Sequence, residues 1–245
     1  MRSALFRRTD PTHLEIRHGS QSFRIALRRR PTARRMTLRV SSVTREVVLT
    51  LPERVDLADA KRFADGHGAW IASRLARVPE RVAFVDGASV PLRGVVHRVV
   101  HHPAGRAATA AGTDTAGHRV IAVSGEAPHV ARRVREFLER EARRDLVEAV
   151  KRYTAAVGVS ARKIAVRDTK SRWGSCSAHG CLSFSWRLIL GPSFVLDYLA
   201  AHEVAHLIEL NHSHRFWRLL RKLCPHTEEA ERWLKRHGTE LHKFG

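Results

Sequence analysis

The chain has 245 residues, 43% hydrophobic and 28% charged, the balance of an ordinary soluble globular protein with enough length for one large or two small domains. No apolar run approaches the roughly 18 residues of a membrane-spanning helix. The arginine-bearing N-terminus lacks the apolar core of a secretory signal, and Cys176, Cys181 and Cys224 are too few for a disulfide framework, so a cytoplasmic protein is expected. Lys and Arg number 44 against 24 Asp and Glu, giving a net charge of +20. That charge favours polyanions such as nucleic acid through phosphate neutralisation, but the basic residues are almost all arginine and are spread along the chain.

Residues 1–21 read as an N-terminal tail and 22–124 as a β-rich half with one helix. Period-two alternation predicts strands in SFRIALRRRP, RMTLRVSS and REVVLTLP, with a hairpin at SSVT. Residues 56–77 have helical spacing through Leu57, Phe63, Trp70, Ile71 and Leu75, with Asp56 as N-cap and a weak middle at Gly66 and Gly68. Short strands follow at 82–85 and 95–101, and Asp86-Gly87 marks a turn. The small, aperiodic segment 104–118 reads as a flexible hairpin tip before the strand HRVIAV, and no internal repeat is found.

The second half, 125–245, opens with the longest helical pattern, 128–157, whose stripe runs from Val130 through Leu138 and Leu146 to Val150. A strand at 163–168, a loop and a strand at 181–189 come next. Gly191-Pro192 then starts a helix over about 192–210. Two closing helices, 213–224 and 227–242, are separated by Pro225. Strands gathered into one half and helices into the other predict an α+β fold.

The chemistry concentrates in AAHEVAHLIELNHSHRFW, residues 200–217. His202 and His206 are four apart and project from one helical face, where both imidazoles can bind one metal ion. Glu203, rotated by about 100°, stands beside that ion as a non-ligand and can take a proton from zinc-activated water. This is the logic of the H-E-x-x-H motif. A left-handed Asn211 brings His212 back as third ligand. His214 competes for that role, but it falls in the first turn of the next helix, for which Ser213 is a good N-cap. Cys176 and Cys181 read as buried small residues, and Tyr198 as a packing residue one turn before His202. Glu209 and His214 are candidates to support the ligands.

Residues 172–217 carry RWGSCS, SWRL, DYLAAHEVAH and NHSHRFW in this order. In this they resemble the YgjP-like metallopeptidase domain, a family near the SprT-like and WLM zincins. Weaker similarity extends the match to about residues 22–242 through RRRPTARRMTLRV, LTLPERV and FVDG. The resemblance implies a minimal zincin-like half in which His202, His206 and His212 hold Zn2+ and Glu203 is the catalytic base. It also implies a cleft bordered by the strand 181–189, an edge to which an extended peptide substrate can add. Candidate substrate contacts are then Trp173, Ser183, Ser185 and Arg187, the last able to stabilise an oxyanion or simply to form a structural ion pair. Val204 replaces the usual leucine, Phe184 and Ser185 depart from the family's polar pattern, and residues 104–117 look like an insertion. The expected partner is a peptide or protein substrate. Nucleic acid is a possible second partner, and no membrane is expected.

Overall fold

Strict alternation builds the first sheet. In β4 (Val47–Leu51) residues 47, 49 and 51 are buried and the two between them are not. It pairs in parallel with β2 (Gln21–Arg29) and antiparallel with β3 (Thr37–Val40), while β1 (His13–His18) pairs antiparallel with β2. The order is β1-β2-β4-β3. β1 falls in the stretch expected to be a tail, and its Ile16 is 1% exposed. A computed structural model describes residues 11–41, 43–78 and 80–245 of the chain. The chain divides into two compact units, Met1–Pro79 and Glu80–Gly245. The boundary expected at 124/125 lies inside the second of them.

Asp56 caps α1 (Leu57–Gly66), its carboxylate accepting from the Ala58 N–H at 2.6 Å. The helix expected over 56–77 is broken at His67 and resumes as α2 (Gly68–Ala76). Two glycines in three residues cost roughly 1 kcal/mol each relative to alanine, enough to interrupt a short helix. Ala60, Ala64 and Ile71 join Ile16, Ile25, Leu49 and Leu51 in a fully apolar core.

The second unit starts with another four-stranded sheet. It contains β5 (Ser89–Leu92), β6 (Val95–His102), β7 (Ala110–Thr113) and β8 (Arg119–Ser124) in the order β5-β6-β8-β7. Its outer pairs are antiparallel and its inner pair parallel, so it repeats the order and sense of the first sheet. The sequence shows no such repeat because topology is carried by pairing, not by residue identity. β7 lies in the segment expected to be only a hairpin tip. All four of its residues are exposed, so no apolar alternation marks it.

α3 (Val130–Val157) runs uninterrupted to Gly158, which ends it in the left-handed conformation at φ 70°. Its buried stripe of Leu138, Ala142, Leu146 and Ala149 shares one core with α4 (Ser193–Ala205) and with Leu182 and Phe184. Arg93, at the β5–β6 turn, fastens the sheet to α3 through Asp145 (2.7 Å) and Glu141 (2.9 Å). The third sheet contains β9 (Lys163–Arg167), β10 (Gly174–Cys176) and β11 (Cys181–Ser185) in the order β10-β11-β9.

Two expectations about this region change. β11 is the central strand, with β10 antiparallel on one side and β9 parallel on the other, so it offers no edge to a substrate. The strand also stops at Ser185. Residues 186–190 form a 3-10 turn whose five side chains are all buried, and an apolar run buried on every side carries no period to read. α4 is likewise shorter than expected and ends at Ala205. α5 (His214–Leu223) and α6 (Thr227–His237) complete the helices around it.

Candidate metal centre

α4 is apolar nearly all round and buried, as a helix enclosed by its neighbours must be. It delivers His202 in its last turn, and His206 sits at its C-cap with φ −68° and ψ −15°. The chain then tightens through Leu207 N–H to Val204 O and Ile208 N–H to Ala205 O. Asn211 is not left-handed, since Arg45 and Arg93 are the non-glycine residues with positive φ among those described. The tightened turn alone carries the chain back to His212, and Ser213 then caps α5, its hydroxyl accepting from Phe216 N–H.

The three imidazoles converge. His212 Nε2 lies 3.2 Å from both His202 Nε2 and His206 Nε2. His206 Nδ1 is 3.0 Å from the Glu209 carbonyl oxygen, which can only accept, so the proton is on Nδ1 and Nε2 holds a lone pair. His202 Nδ1 is 3.3 Å from the Tyr198 hydroxyl, which donates its single proton to Glu231 Oε1 at 3.0 Å. His202 is therefore also protonated on Nδ1, and its Nε2 is a second lone pair aimed at the same point. A single N–H on His212 Nε2 can point at only one of these two lone pairs, whereas a cation between the three nitrogens serves both. Tetrahedral Zn–N bonds of about 2.0–2.1 Å separate nitrogens by roughly 3.3 Å, so the spacing fits such an ion. Burial, then the neighbouring His206 and His212, lower His202 to about 4. Burial lowers His206 against the raising effect of its bond to Glu209. Both shifts favour the neutral ring that a metal ion needs.

Glu203 is 4% exposed, and its Oε2 has no hydrogen-bond partner among the described residues. Burial pushes its carboxyl up to about 7, with the Arg172 guanidinium pulling the other way. The carboxylate lies against β10: a side chain at position 174 would collide with Glu203 Oε1. Only glycine leaves room there, and the sequence signal was the glycine of RWGSCS. Phe216 packs against all three rings at 4.5 to 5.0 Å, and Trp217 stacks on His212 at 5.7 Å.

The remaining expected site residues are dispersed. Arg187 is buried and binds Asp168 through Nε (2.7 Å) and Nη2 (3.2 Å), while Nη1 donates to the carbonyls of Leu241 and Phe244. It anchors the C-terminal segment, and four of its five N–H donors are taken up inside the fold. Ser185 is fully buried, so neither residue is placed to touch a substrate. Trp173 is half-buried and stacks on His242 at 5.0 Å, whereas Ser183 is half-buried opposite Ser175. Cys176, Cys181 and Cys224 are free thiols outside the imidazole cluster. Burial, then Glu203, pushes the Cys176 thiol up. His214 opens α5, exposed and apart from the cluster, and Glu209 contributes its carbonyl. Glu231 escaped notice because it reaches the site from another helix, 33 residues beyond Tyr198. Tyr198 stood at the i−4 spacing from His202 that could have flagged it.

A convergent triad of neutral imidazoles beside a buried carboxylate defines a candidate metal-dependent hydrolase. The sequence matches the model of the YgjP-like metallopeptidase domain over residues 34–237, and the chain belongs to that family. Curated proteins give no match. Among solved structures, the crystal structure of the metallopeptidase zymogen of Pyrococcus abyssi abylysin is 20% identical, with a TM-score of 0.34, covering 37% of this chain and 93% of that one. A likeness that weak bears on neither fold nor function. Among the described residues no helix is long and apolar enough to cross a membrane.

Proposed function

We propose that the protein is a zinc-dependent metallopeptidase in which His202, His206 and His212 hold the ion and Glu203 is the general base. The observation that carries this is the pair of lone pairs, fixed by Tyr198 and by the Glu209 carbonyl, that converge with His212 beside an unpartnered buried carboxylate. When bound, zinc supplies Lewis acidity toward oxygen and makes water a usable nucleophile near neutral pH. Glu203 Oε2 is free to accept a proton and pass it to a leaving amine. Phe216 and Trp217 pack against the rings from one side.

The substrate is a peptide in extended form. β10 is an edge strand among the described residues. Trp173 O and Ser177 N are bonded to β11, so by antiparallel alternation the main-chain groups of Gly174 and Cys176 face outward. A peptide adding there as a strand passes beside Glu203. This assigns to β10 the part expected of β11.

Zinc content and cleavage of an unfolded protein substrate test the proposal. Wild type retains zinc and cleaves. Glu203→Ala keeps the metal and loses roughly 10²- to 10⁴-fold in turnover, and His206→Ala loses the metal. A purified protein that retains no divalent metal, or a Glu203→Ala variant of normal turnover, would sink it.

Nucleic acid is a second candidate partner. α5 exposes Arg215, Arg218, Arg221 and Lys222, and Glu228 at 3.8 Å from Arg221 is the acidic side chain near them. Binding to DNA should weaken linearly in log–log salt titration, with a slope near −0.9 per phosphate neutralised. No binding at low salt removes nucleic acid as a partner.

A further inference from the structure

Each ligand is backed differently. His206 leans on a main-chain carbonyl and His212 on the Trp217 ring. His202 is backed by a relay of side chains that leaves α4 altogether: Nδ1–H to the Tyr198 oxygen at 3.3 Å, then Tyr198 O–H to Glu231 Oε1 on α6 at 3.0 Å. Tyr198 is 4% exposed, and its ring meets the His202 ring edge-on at 5.7 Å. The Glu231 carboxylate can only accept, so Tyr198 spends its single proton there and receives the His202 Nδ1–H.

Glu231 comes from α6. It is half-buried, and no lysine, arginine or histidine forms an ion pair with it among the described residues. The chain carries 44 basic residues against 24 acidic ones, so cations are not scarce. Its α6 neighbours Glu228 and Glu229 face Arg221 and His226. The hydrogen bond recorded for the Glu231 carboxylate comes from Tyr198. The carboxylate stands two hydrogen bonds behind the ring whose lone pair faces the candidate cation position.

We propose that Glu231, acting through Tyr198, is a positioning residue for the metal: it fixes His202 as the Nδ1-protonated tautomer and places a compensating negative charge behind the ligand. The inference rests on the zinc assignment above and adds α6 to the elements that build the centre. A carboxylate behind a ligating imidazole raises its basicity and holds its orientation, and losing such a partner typically weakens metal binding by 10- to 100-fold.

Zinc affinity of the full chain, measured by chelator competition, tests this in wild type, Tyr198→Phe, Glu231→Gln and Glu231→Asp. The thermal midpoint of the metal-free protein and the visible spectrum of the cobalt(II)-loaded protein are recorded alongside. Tyr198→Phe and Glu231→Gln should each weaken zinc by roughly 10- to 100-fold and shift the cobalt bands. The double variant should lose no more than the worse single, because both cut one relay. Glu231→Asp should recover part of the loss. Glu231 is only half-buried, so its variants fold even if Tyr198→Phe does not. Wild-type zinc affinity in Glu231→Gln overturns the proposal, as does a loss matched by equal destabilisation of the metal-free protein. A wild type that binds no zinc overturns this proposal and the zinc assignment together, whereas tight wild-type binding with unchanged variants overturns this one alone.

Discussion

Met1–Pro79 buries only apolar side chains among its described residues, around Ile16, Ile25, Leu49 and Leu51, whereas the buried polar and charged residues all lie in Glu80–Gly245. Both units use a four-stranded sheet of the same order, so strand plan does not account for the difference. In the first unit two short helices close an apolar core. In the second, the buried polar and charged side chains come from strands, from 3-10 turns and from α4 and α6, with Glu203 the one on α4. Burying a polar group costs free energy unless a partner offsets it, and Arg187 shows the offset case with its Asp168 and carbonyl partners. Glu203 Oε2 shows the other case. Ser185 Oγ, Trp186 Nε1 and His242 Nδ1 are also unpartnered among the described residues, but only Glu203 comes directly after one of three converging imidazoles.

Three substitutions test this contrast. The largest stability effect is expected in the apolar unit, where Ile25→Ala removes a side chain that is 0% exposed. Denaturant unfolding should show a loss of about 3 kcal/mol, with zinc content unchanged. Zinc lost in proportion would break the comparison.

Asp168→Asn comes next and should cost roughly 2 to 3 kcal/mol at neutral pH, because it leaves the Arg187 guanidinium buried without its carboxylate. Burial raises the Asp168 pKa, but the hydrogen bond and charge of Arg187, with Arg135 and His242, outweigh it and hold the carboxyl below its ordinary value. A folded pKa below the unfolded one means that the stabilisation is present above about pH 4 and lost as pH falls through the folded value. The gap between wild type and variant should therefore narrow on acidification below about pH 4. A gap undiminished in strong acid would mean that the pair's charge contributes nothing.

Gly174→Ala is the smallest change. Its new Cβ would displace the Glu203 carboxylate and should lower turnover at least about tenfold, near 1.4 kcal/mol, with zinc retained and a loss of stability smaller than that of Ile25→Ala. Unchanged turnover would separate β10 from the chemistry.

Much of the centre was legible because its spacing is local. Four residues bring His202 and His206 to one helical face, and the same geometry sets Glu203 to the side. The capping roles of Asp56 and Ser213 were equally readable, each being a contact within three residues. The central place of β11 was not readable, because period-two alternation reports which face is buried and says nothing of which strands lie alongside. β7 was hidden because a fully exposed strand has no alternation, and β10 because it has three residues. The expected left-handed Asn211 gave way to a tightened helix end, a choice made by main-chain hydrogen bonds that the residue type does not dictate.

The sequence by itself determined the spacing of the clustered histidines, the family, and the long apolar stripe of α3, all of which come from residue order along a helix or from motif identity. Only the tertiary structure decided that Ser185 and Arg187 are buried, that the open strand is β10, and that Glu231 stands behind His202. Each of those depends on segments brought together across many residues, where burial and hydrogen-bond satisfaction are set by packing and not by sequence neighbours.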